Sequence, residues 1–131
     1  MEKYFATYAQ SLALKELGFK KLCFGWYEHS GNFYYCYQEG LVPPSPSKKL
    51  IKGCCLAPLK SQVFDWFRDN YQIEVTVACF YSKRLGISYE ERLYHCHIIR
   101  DGITTKGHKF KTNGEAELAC IDKLIEIVKN K

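Results

Sequence analysis

Apolar residues recur at the three- and four-residue spacing of an amphipathic helix in three stretches of the chain. The first stretch predicts a short helix over residues 8–17, followed by Gly18 as a residue suited to a left-handed C-terminal position. Thr7 and Gln10 have the spacing of a capping box, in which each side chain accepts a hydrogen bond from the other residue's backbone N–H. The pattern therefore predicts both ends of this helix.

The second stretch predicts a helix with Pro58 in its first turn, where the missing N–H of proline costs no helical hydrogen bond. Its apolar positions form one stripe that faces a core, and its polar positions point away from that core. The predicted stripe is Leu59, Val63, Trp66 and Phe67, and the residues predicted to point outward are Lys60, Asp65, Arg68 and Asp69.

The third stretch predicts a C-terminal helix over residues 114–129, and Thr112 with Glu115 forms a second capping-box pattern at its start. The apolar stripe of this helix is wider than one buried face needs. Leu118 and Ile125 lie seven residues apart on its flank and extend the apolar surface. Such a flank is either covered by another helix or free to bind a protein partner.

Alternating apolar and polar residues predict four to five β-strands. Two aromatic-rich runs flank a glycine-containing turn, which indicates a hairpin, and the Asp101-Gly102 pair is a strong signal for the turn of another. The predicted strands are residues 22–28, 33–38, 73–81, 89–100 and 103–111, with Ile73, Val75, Val77, Cys79, Tyr81, Tyr94, Cys96 and Ile98 facing inward.

The resulting order of elements is α-β-β-α-β-β-(β)-α, in which strands pair in hairpins and the helices lie apart from them. This order predicts an α+β fold, with a mostly antiparallel sheet of four to five strands and two to three helices packed on it. We expect residues 1–131 to form a single domain. A Pro/Lys-rich loop is predicted at about residues 40–56, with a short strand near Leu50 and Ile51.

The composition is that of an ordinary globular protein, with 47% hydrophobic and 25% charged residues, and it excludes disordered, collagen-like and coiled-coil chains. The net charge of +5 is a mild basic excess, compatible with many partners. Aromatic residues reach 15%, including ten tyrosines, and they are the one compositional excess. None of these numbers indicates an activity.

Seven cysteines are many for a cytosolic protein, but their odd number argues against a complete set of disulfides. The N-terminal residues show no secretory signal, and no stretch approaches the eighteen or so apolar residues of a membrane span. We therefore expect a soluble cytoplasmic protein with reduced thiols and no membrane partner. Four cysteines occupy apolar positions where a small hydrophobic residue would serve, namely Cys36, Cys79, Cys96 and Cys120.

Segments across most of the chain resemble small uncharacterised phage- and prophage-type proteins of gut bacteria. The resemblance rests on the LKELGF end of the first helix (14–19), an Ala-Pro-led helix with DWFRD (57–59 and 65–69), and the Glu-Ala-rich last helix (115–125). These motifs are helix ends and core positions, so the resemblance implies the architecture and a mobile-element origin. The family has no established activity, and no catalytic residue is carried over from it.

Residues 57–129 also resemble a double-stranded RNA-binding domain in the order of their elements. That fold binds RNA through its first helix, the loop between its first two strands, and a basic N-terminal end of its last helix. Here the last helix begins with Glu115 and Glu117, whose carboxylates repel phosphate. Residues 82–87 also stand where the Gly-Pro-x-His loop is expected.

Two groups of residues are candidates for reactive sites, one for a zinc site and one for a nucleophilic thiol. His95 and His97 project to the same face of a strand and could share a zinc ion, but a third ligand would have to come from elsewhere, such as Glu91 or His108. Cys54 or Cys55 could have a pKa lowered by the following helix N-terminus and act as a nucleophile, although no histidine is placed beside them. The sequence predicts no metal and no cofactor.

Basic residues are unevenly distributed. Residues 48–60 carry four lysines and no acid, and residues 83–111 carry seven basic and three acidic groups. If both segments lie together, they form a surface able to displace counterions from phosphates, and tyrosines near the first hairpin could stack on bases. The candidate nucleic-acid contacts are Lys48, Lys49, Lys52, Lys106, Lys109, Lys111 and Tyr35.

The sequence thus predicts a non-enzymatic binding or accessory module of a phage or mobile element, contacting nucleic acid through the basic loop and hairpin. The alternative is a protein-interaction or homodimeric module that does not bind nucleic acid. A cysteine-dependent enzyme is the third reading.

Overall fold

A computed structural model describes residues 2–21, 23–35 and 54–130 of the chain. This part has the predicted α+β class and contains three α-helices and six strands. The elements are α1 (Tyr8–Glu16), β1 (Gly25–Tyr27), β2 (Phe33–Tyr35), β3 (Cys55–Ala57), α2 (Lys60–Tyr71), β4 (Glu74–Phe80), β5 (Leu93–Arg100), β6 (Ile103–Lys106) and α3 (Asn113–Lys129).

The strands form two three-stranded antiparallel sheets rather than the one sheet that was predicted. The first sheet has the order β2-β1-β3, and the second has the order β4-β5-β6. The difference arises from β3, which falls in the predicted loop and pairs along β1, with Cys55 opposite Tyr27. A three-residue strand stabilised by a distant partner leaves no periodic pattern in the sequence. The short strand predicted near Leu50 and Ile51 lies outside the described residues.

Both ends of α1 are as predicted. Thr7 Oγ1 accepts a hydrogen bond from the backbone N–H of Gln10 at 3.2 Å, and Gln10 Oε1 accepts one from the N–H of Thr7 at 3.1 Å. Gly18 follows the helix with φ +96°, a conformation that favours glycine. At the start of α3, Thr112 Oγ1 accepts from the N–H of Glu115 at 3.2 Å.

The hairpin between β5 and β6 turns at the predicted Asp101-Gly102 pair. Both residues have positive φ, 52° and 76°, as a two-residue type I′ turn requires. The flanking strands are shorter than predicted: residues 89–91 form a 3-10 turn before β5, and β6 ends at Lys106 rather than at Lys111.

One hydrophobic core joins the helices to one face of the second sheet. It contains residues of all three helices together with Ile73, Cys96 and Ile98. The predicted stripe of α2 is confirmed at Val63, Trp66 and Phe67, which are buried. Because this core also contains Leu56 of β3, both sheets contribute to one interior.

The prediction that Lys60 points outward is wrong. Its side chain is 7% exposed, and its Nζ lies 3.8 Å from Glu117 Oε1 on α3. Helix α2 begins at Lys60 itself, after Pro58, so this residue faces the start of α3 instead of solvent. The Glu117 carboxylate provides the partner that a buried ammonium requires.

Burial falls along β4 from its first residues to its last. Ile73, which precedes the strand, is fully buried, Val75 and Val77 are half-buried, and Cys79 is exposed. The prediction that Cys79 faces a core is therefore wrong, and Tyr81 beyond it is 50% exposed. Cys96 and Cys120 are buried as predicted, and Cys36 lies outside the described residues. No helix within the described ranges is long and apolar enough to cross a membrane.

Candidate binding surface

The two faces of the second sheet have different surroundings. Helices α2 and α3 pack on the face that carries Val75, Val77, Cys96 and Ile98. Successive side chains of a strand point to opposite faces, so the residues between these four lie on the other face of the sheet. No described helix packs on that face. We call this side the histidine face and define it by Phe80, His95, His97, Lys106 and Lys109.

Strand register places the central residues of the histidine face. His95 lies opposite Ala78 on β4, and His97 lies between Thr76 on β4 and Lys106 on β6. Directly opposed residues share a face, so both imidazoles and the Lys106 side chain start from the same side of the sheet. Phe80, two residues after Ala78, belongs to the same side.

The two imidazole rings lie against each other. Their centroids are 4.6 Å apart and their planes are inclined by 38°. His95 Nδ1 and His97 Nε2 are buried, and neither has a hydrogen-bond partner among the described residues. A buried polar atom without a partner is uncommon in a folded protein.

A β-bulge brings Lys109 to this surface. The N–H of Gly107 donates to the carbonyl of Cys96 at 2.8 Å, and Phe110 exchanges two 2.7 Å hydrogen bonds with Tyr94. Two residues, His108 and Lys109, therefore stand opposite the single residue His95, which is the arrangement of a bulge. A bulge re-aims side chains, and here Lys109 Nζ lies 4.4 Å from the centroid of the Phe80 ring.

The charges around His95 are all positive. Burial lowers the pKa of His95 most, and the neighbouring His97, Lys106 and Lys109 lower this pKa further. The acidic residue on this side of the described sheet is Glu74, at the far end opposite Ile99. Arg68 neutralises it, with Nε 2.8 Å from Glu74 Oε2. These surroundings favour the neutral form of His95, and the lysines carry the charge of the surface.

Of the candidate nucleic-acid contacts, the structure brings Lys106 and Lys109 together. Lys111 is exposed just beyond Phe110. Tyr35 belongs to the other sheet, where its backbone pairs with Gly25, and its side chain lies outside the described part. Lys48, Lys49 and Lys52 lie outside the described residues as well.

Two described tyrosines of the first hairpin, Tyr27 and Tyr34, take part in the packing of the first sheet. Tyr27 is 2% exposed, and its hydroxyl donates to the carbonyl of Ala6 at 2.7 Å. Tyr34 stacks on Trp26 with ring centroids 4.6 Å apart and donates a hydrogen bond to Glu28 at 3.0 Å. Burial therefore removes Tyr27 from the predicted stacking platforms.

The metal hypothesis for His95 and His97 finds the two rings adjacent but no third ligand. Among the described residues, no group of three or more His, Cys, Asp or Glu side chains is placed to hold an ion. Two ammonium groups stand near the pair, and they disfavour a divalent cation.

The cysteine hypothesis loses one of its two candidates. Cys55 is buried with Phe5, Tyr27 and Ala57, and burial raises the pKa of its thiol to about 12. Its predicted activation by the following helix is therefore wrong. Cys54 lies beside it at the surface of the first sheet, and its carbonyl accepts a hydrogen bond from Lys15 Nζ at 2.9 Å.

The flank of α3 around Leu118 and Ile125, a candidate protein-binding surface, contacts α1. Ile125 is buried in the core. Gln10 Nε2 on α1 donates to the carbonyl of Leu118 at 2.8 Å and to Asp122 Oδ1 at 2.9 Å. These contacts support the interpretation that a neighbouring helix covers the flank, and a protein or homodimer partner stays a prediction.

Phe80 and the bulge were not predicted from the sequence. Phe80 shares its side of β4 with Glu74, Thr76 and Ala78, so the strand period was the signal that could have found it. Gly107 was the signal for the bulge, because a Cβ there would lie 3.1 Å from Cys96 Sγ. The analysis also missed a cavity of about 510 Å³ between the β5–β6 hairpin and α3, with Cys96 and Phe110 in its lining.

Comparison of the chain with models of protein families, with curated proteins and with solved structures finds no match. Evidence about function therefore comes from the residues of the histidine face.

Proposed function

We propose that this protein is a nucleic-acid-binding module and that the histidine face is its contact surface. The observation that carries the proposal is a sheet face with three aromatic or imidazole rings beside Lys106 and Lys109. Lysines neutralise phosphates and release counterions, and rings on a sheet can stack on bases. Residues 103–111 add a third lysine, Lys111, and contain no acidic residue.

The surface favours single strands over duplexes. Bases that are not paired can lie flat on a sheet and stack on its side chains, whereas the bases of a duplex are already stacked. The start of α3 is a poor contact for duplex phosphates, because Glu115 and Glu117 lie there. The ammonium of the nearby Lys60 is buried and paired with Glu117, so it is not available to a phosphate.

Two parts of the proposal rest on the sequence alone. Lys48, Lys49, Lys52 and Tyr35 would extend the surface, and the triple substitution of these lysines by glutamine would then lower the salt dependence of binding. The role as an accessory module of a phage or mobile element rests on the resemblance of the helix motifs. The cytoplasmic location is a separate expectation from the amino-acid sequence.

The experiment is fluorescence anisotropy with labelled single- and double-stranded DNA and RNA at low and physiological salt. We expect Lys106→Gln/Lys109→Gln to weaken binding and to reduce the slope of log K against log salt by about one per lysine. The matched control is Lys20→Gln/Lys21→Gln, which removes the same charge. These two lysines are exposed and follow Phe19, which packs on Trp66 of α2, on the helix side of the sheet.

Binding that survives physiological salt and is weakened by the Lys106/Lys109 variant more than by the control supports the histidine face. Equal losses in both variants would show that only net charge matters. Absence of binding to every nucleic acid would overturn the proposed function.

A further inference from the structure

We propose that the histidine face takes up a proton when it binds a phosphate group of a nucleic acid, so that the affinity rises as the pH falls. This inference rests on the proposed function, since it concerns the same surface. It assigns His95 as the group that takes up the proton, and Lys106 and Lys109 as the permanent charges beside it.

The ring nitrogens of His95 and His97 have no hydrogen-bond partners among the described residues. His95 Nδ1 and His97 Nε2 are the two that are buried. The other nitrogens, His95 Nε2 and His97 Nδ1, lack a described partner as well but are not among the buried atoms. They are the atoms that can reach a ligand. An imidazolium donates from both nitrogens, and a phosphate oxygen accepts such charge-assisted hydrogen bonds.

The groups around His95 explain why the proton is absent before the ligand binds. From β4 it faces Ala78 and Thr76, which do not titrate. From β5 it faces His97, and from β6 and the bulge it faces Lys106 and Lys109. Every charge near the ring thus opposes a further positive charge. The carboxylate of Glu74 is bound to Arg68 at the other end of the face.

A bound phosphate reverses this local balance. Its negative charge beside the lysines favours the charged imidazole, so the pKa of His95 rises in the complex. Between the lowered pKa of the free protein, below about 6.5, and the higher pKa of the complex, binding takes up a proton. Linkage then requires the affinity to increase as the pH falls through this interval, by at most about tenfold per pH unit for one proton.

The test is anisotropy with single-stranded oligothymidylate, whose bases do not titrate in the range used, from about pH 5.5 to about pH 8 at constant ionic strength. For the wild-type protein we expect stronger binding toward the acid end. His95→Gln should remove most of this increase, because glutamine keeps a hydrogen-bonding side chain that does not titrate. Lys106→Gln should weaken binding at every pH and keep an increase toward acid, moved to higher pH because the ammonium of Lys106 no longer lowers the pKa of His95.

The matched control is His108→Gln. His108 is an exposed histidine of the same bulge that lines the cavity on the α3 side, and its substitution should leave the pH dependence in place. If His95→Gln does not fold, an NMR titration of the His95 ring in the wild-type protein replaces it, and its pKa should rise when oligothymidylate is added.

The outcomes are distinguishable. Binding that is independent of pH, or an unchanged pKa of His95 in the complex, overturns this inference and leaves the proposed function standing. A pH dependence lost in His108→Gln but kept in His95→Gln also overturns it. No binding at any pH overturns the proposed function as well.

Discussion

Lys60 carries the one buried side-chain charge of the described residues, and Glu117 on α3 is its ion-pair partner. A charged group can be buried when an opposite charge lies close to it. Removal of that opposite charge lowers the stability of the folded protein, because the remaining charge is then buried without a partner. The contact joins the start of α2 to the start of α3, next to Gly114, where a Cβ would lie 3.6 Å from Lys60 Nζ. It is therefore both a local pair and a contact between helices.

We expect Glu117→Gln to lower the free energy of unfolding by about 1–3 kcal/mol, because the ammonium of Lys60 would remain buried without a counter-charge. Denaturant unfolding followed by circular dichroism measures this change. The matched control is Glu126→Gln on the same helix, whose ion pair with Lys123 at 3.2 Å is exposed to solvent. Exposed pairs contribute little, so this variant should change stability by less than about 0.5 kcal/mol. Equal effects of the two substitutions would contradict the account of Lys60.

Single residues also show why reactive groups are hard to assign from sequence. Cys55 precedes a helix, which predicts a lowered thiol pKa, but burial dominates and raises it to about 12. His95 and His97 have the spacing of metal ligands, yet the strands beside them supply lysines. In both cases the neighbours that decide the chemistry come from elements distant in the chain.

At the scale of single elements, the sequence predicted correctly those features that depend on residues close together in the chain. The capping box of α1 and the turn between β5 and β6 form as predicted, since each depends on side chains or φ values at adjacent positions. Strand β3 could not be predicted, because its three residues are stabilised by pairing with β1 across a long stretch of chain. The bulge after β6 depends likewise on the register with β5.

The turn between β5 and β6 tests the element that carries Lys106. Gly102 has φ +76°, and a Cβ added there would meet nothing within 4 Å, so Gly102→Ala introduces backbone strain without a clash. We expect it to lower the free energy of unfolding by about 1 kcal/mol.

The control substitution for that prediction is Gly114→Ala, in the first turn of α3. Its φ is not positive, and the added Cβ would make an ordinary contact with Lys60 Nζ at 3.6 Å. Alanine has a higher helix propensity than glycine, so this variant should be neutral or more stable by up to about 1 kcal/mol. Thermal unfolding of both variants checks the pair, and a loss of stability in Gly114→Ala equal to that in Gly102→Ala would contradict it.

At the scale of the whole molecule, the α+β class followed from the order of helical and alternating patterns, but the division into two sheets did not. The sequence located Lys106 and Lys109 in a basic segment. The strand period placed His95 and His97 on one face of a strand, but the sequence could not show that Phe80, Lys106 and Lys109 share that face, because this depends on strand register and on the bulge. The two histidines and the charges of the candidate site were thus visible in the sequence, and their juxtaposition was not.

The central claim is that the histidine face of the second sheet binds nucleic acid. The most direct measurement is an NMR titration of isotope-labelled protein with a single-stranded oligonucleotide, recording backbone amide and histidine ring signals. The account predicts the largest shifts at His95, His97, Lys106 and Lys109, and small shifts over α3, which packs on the other face. Shifts confined to the start of α3 around Glu115, or no shifts at saturating oligonucleotide, would contradict it.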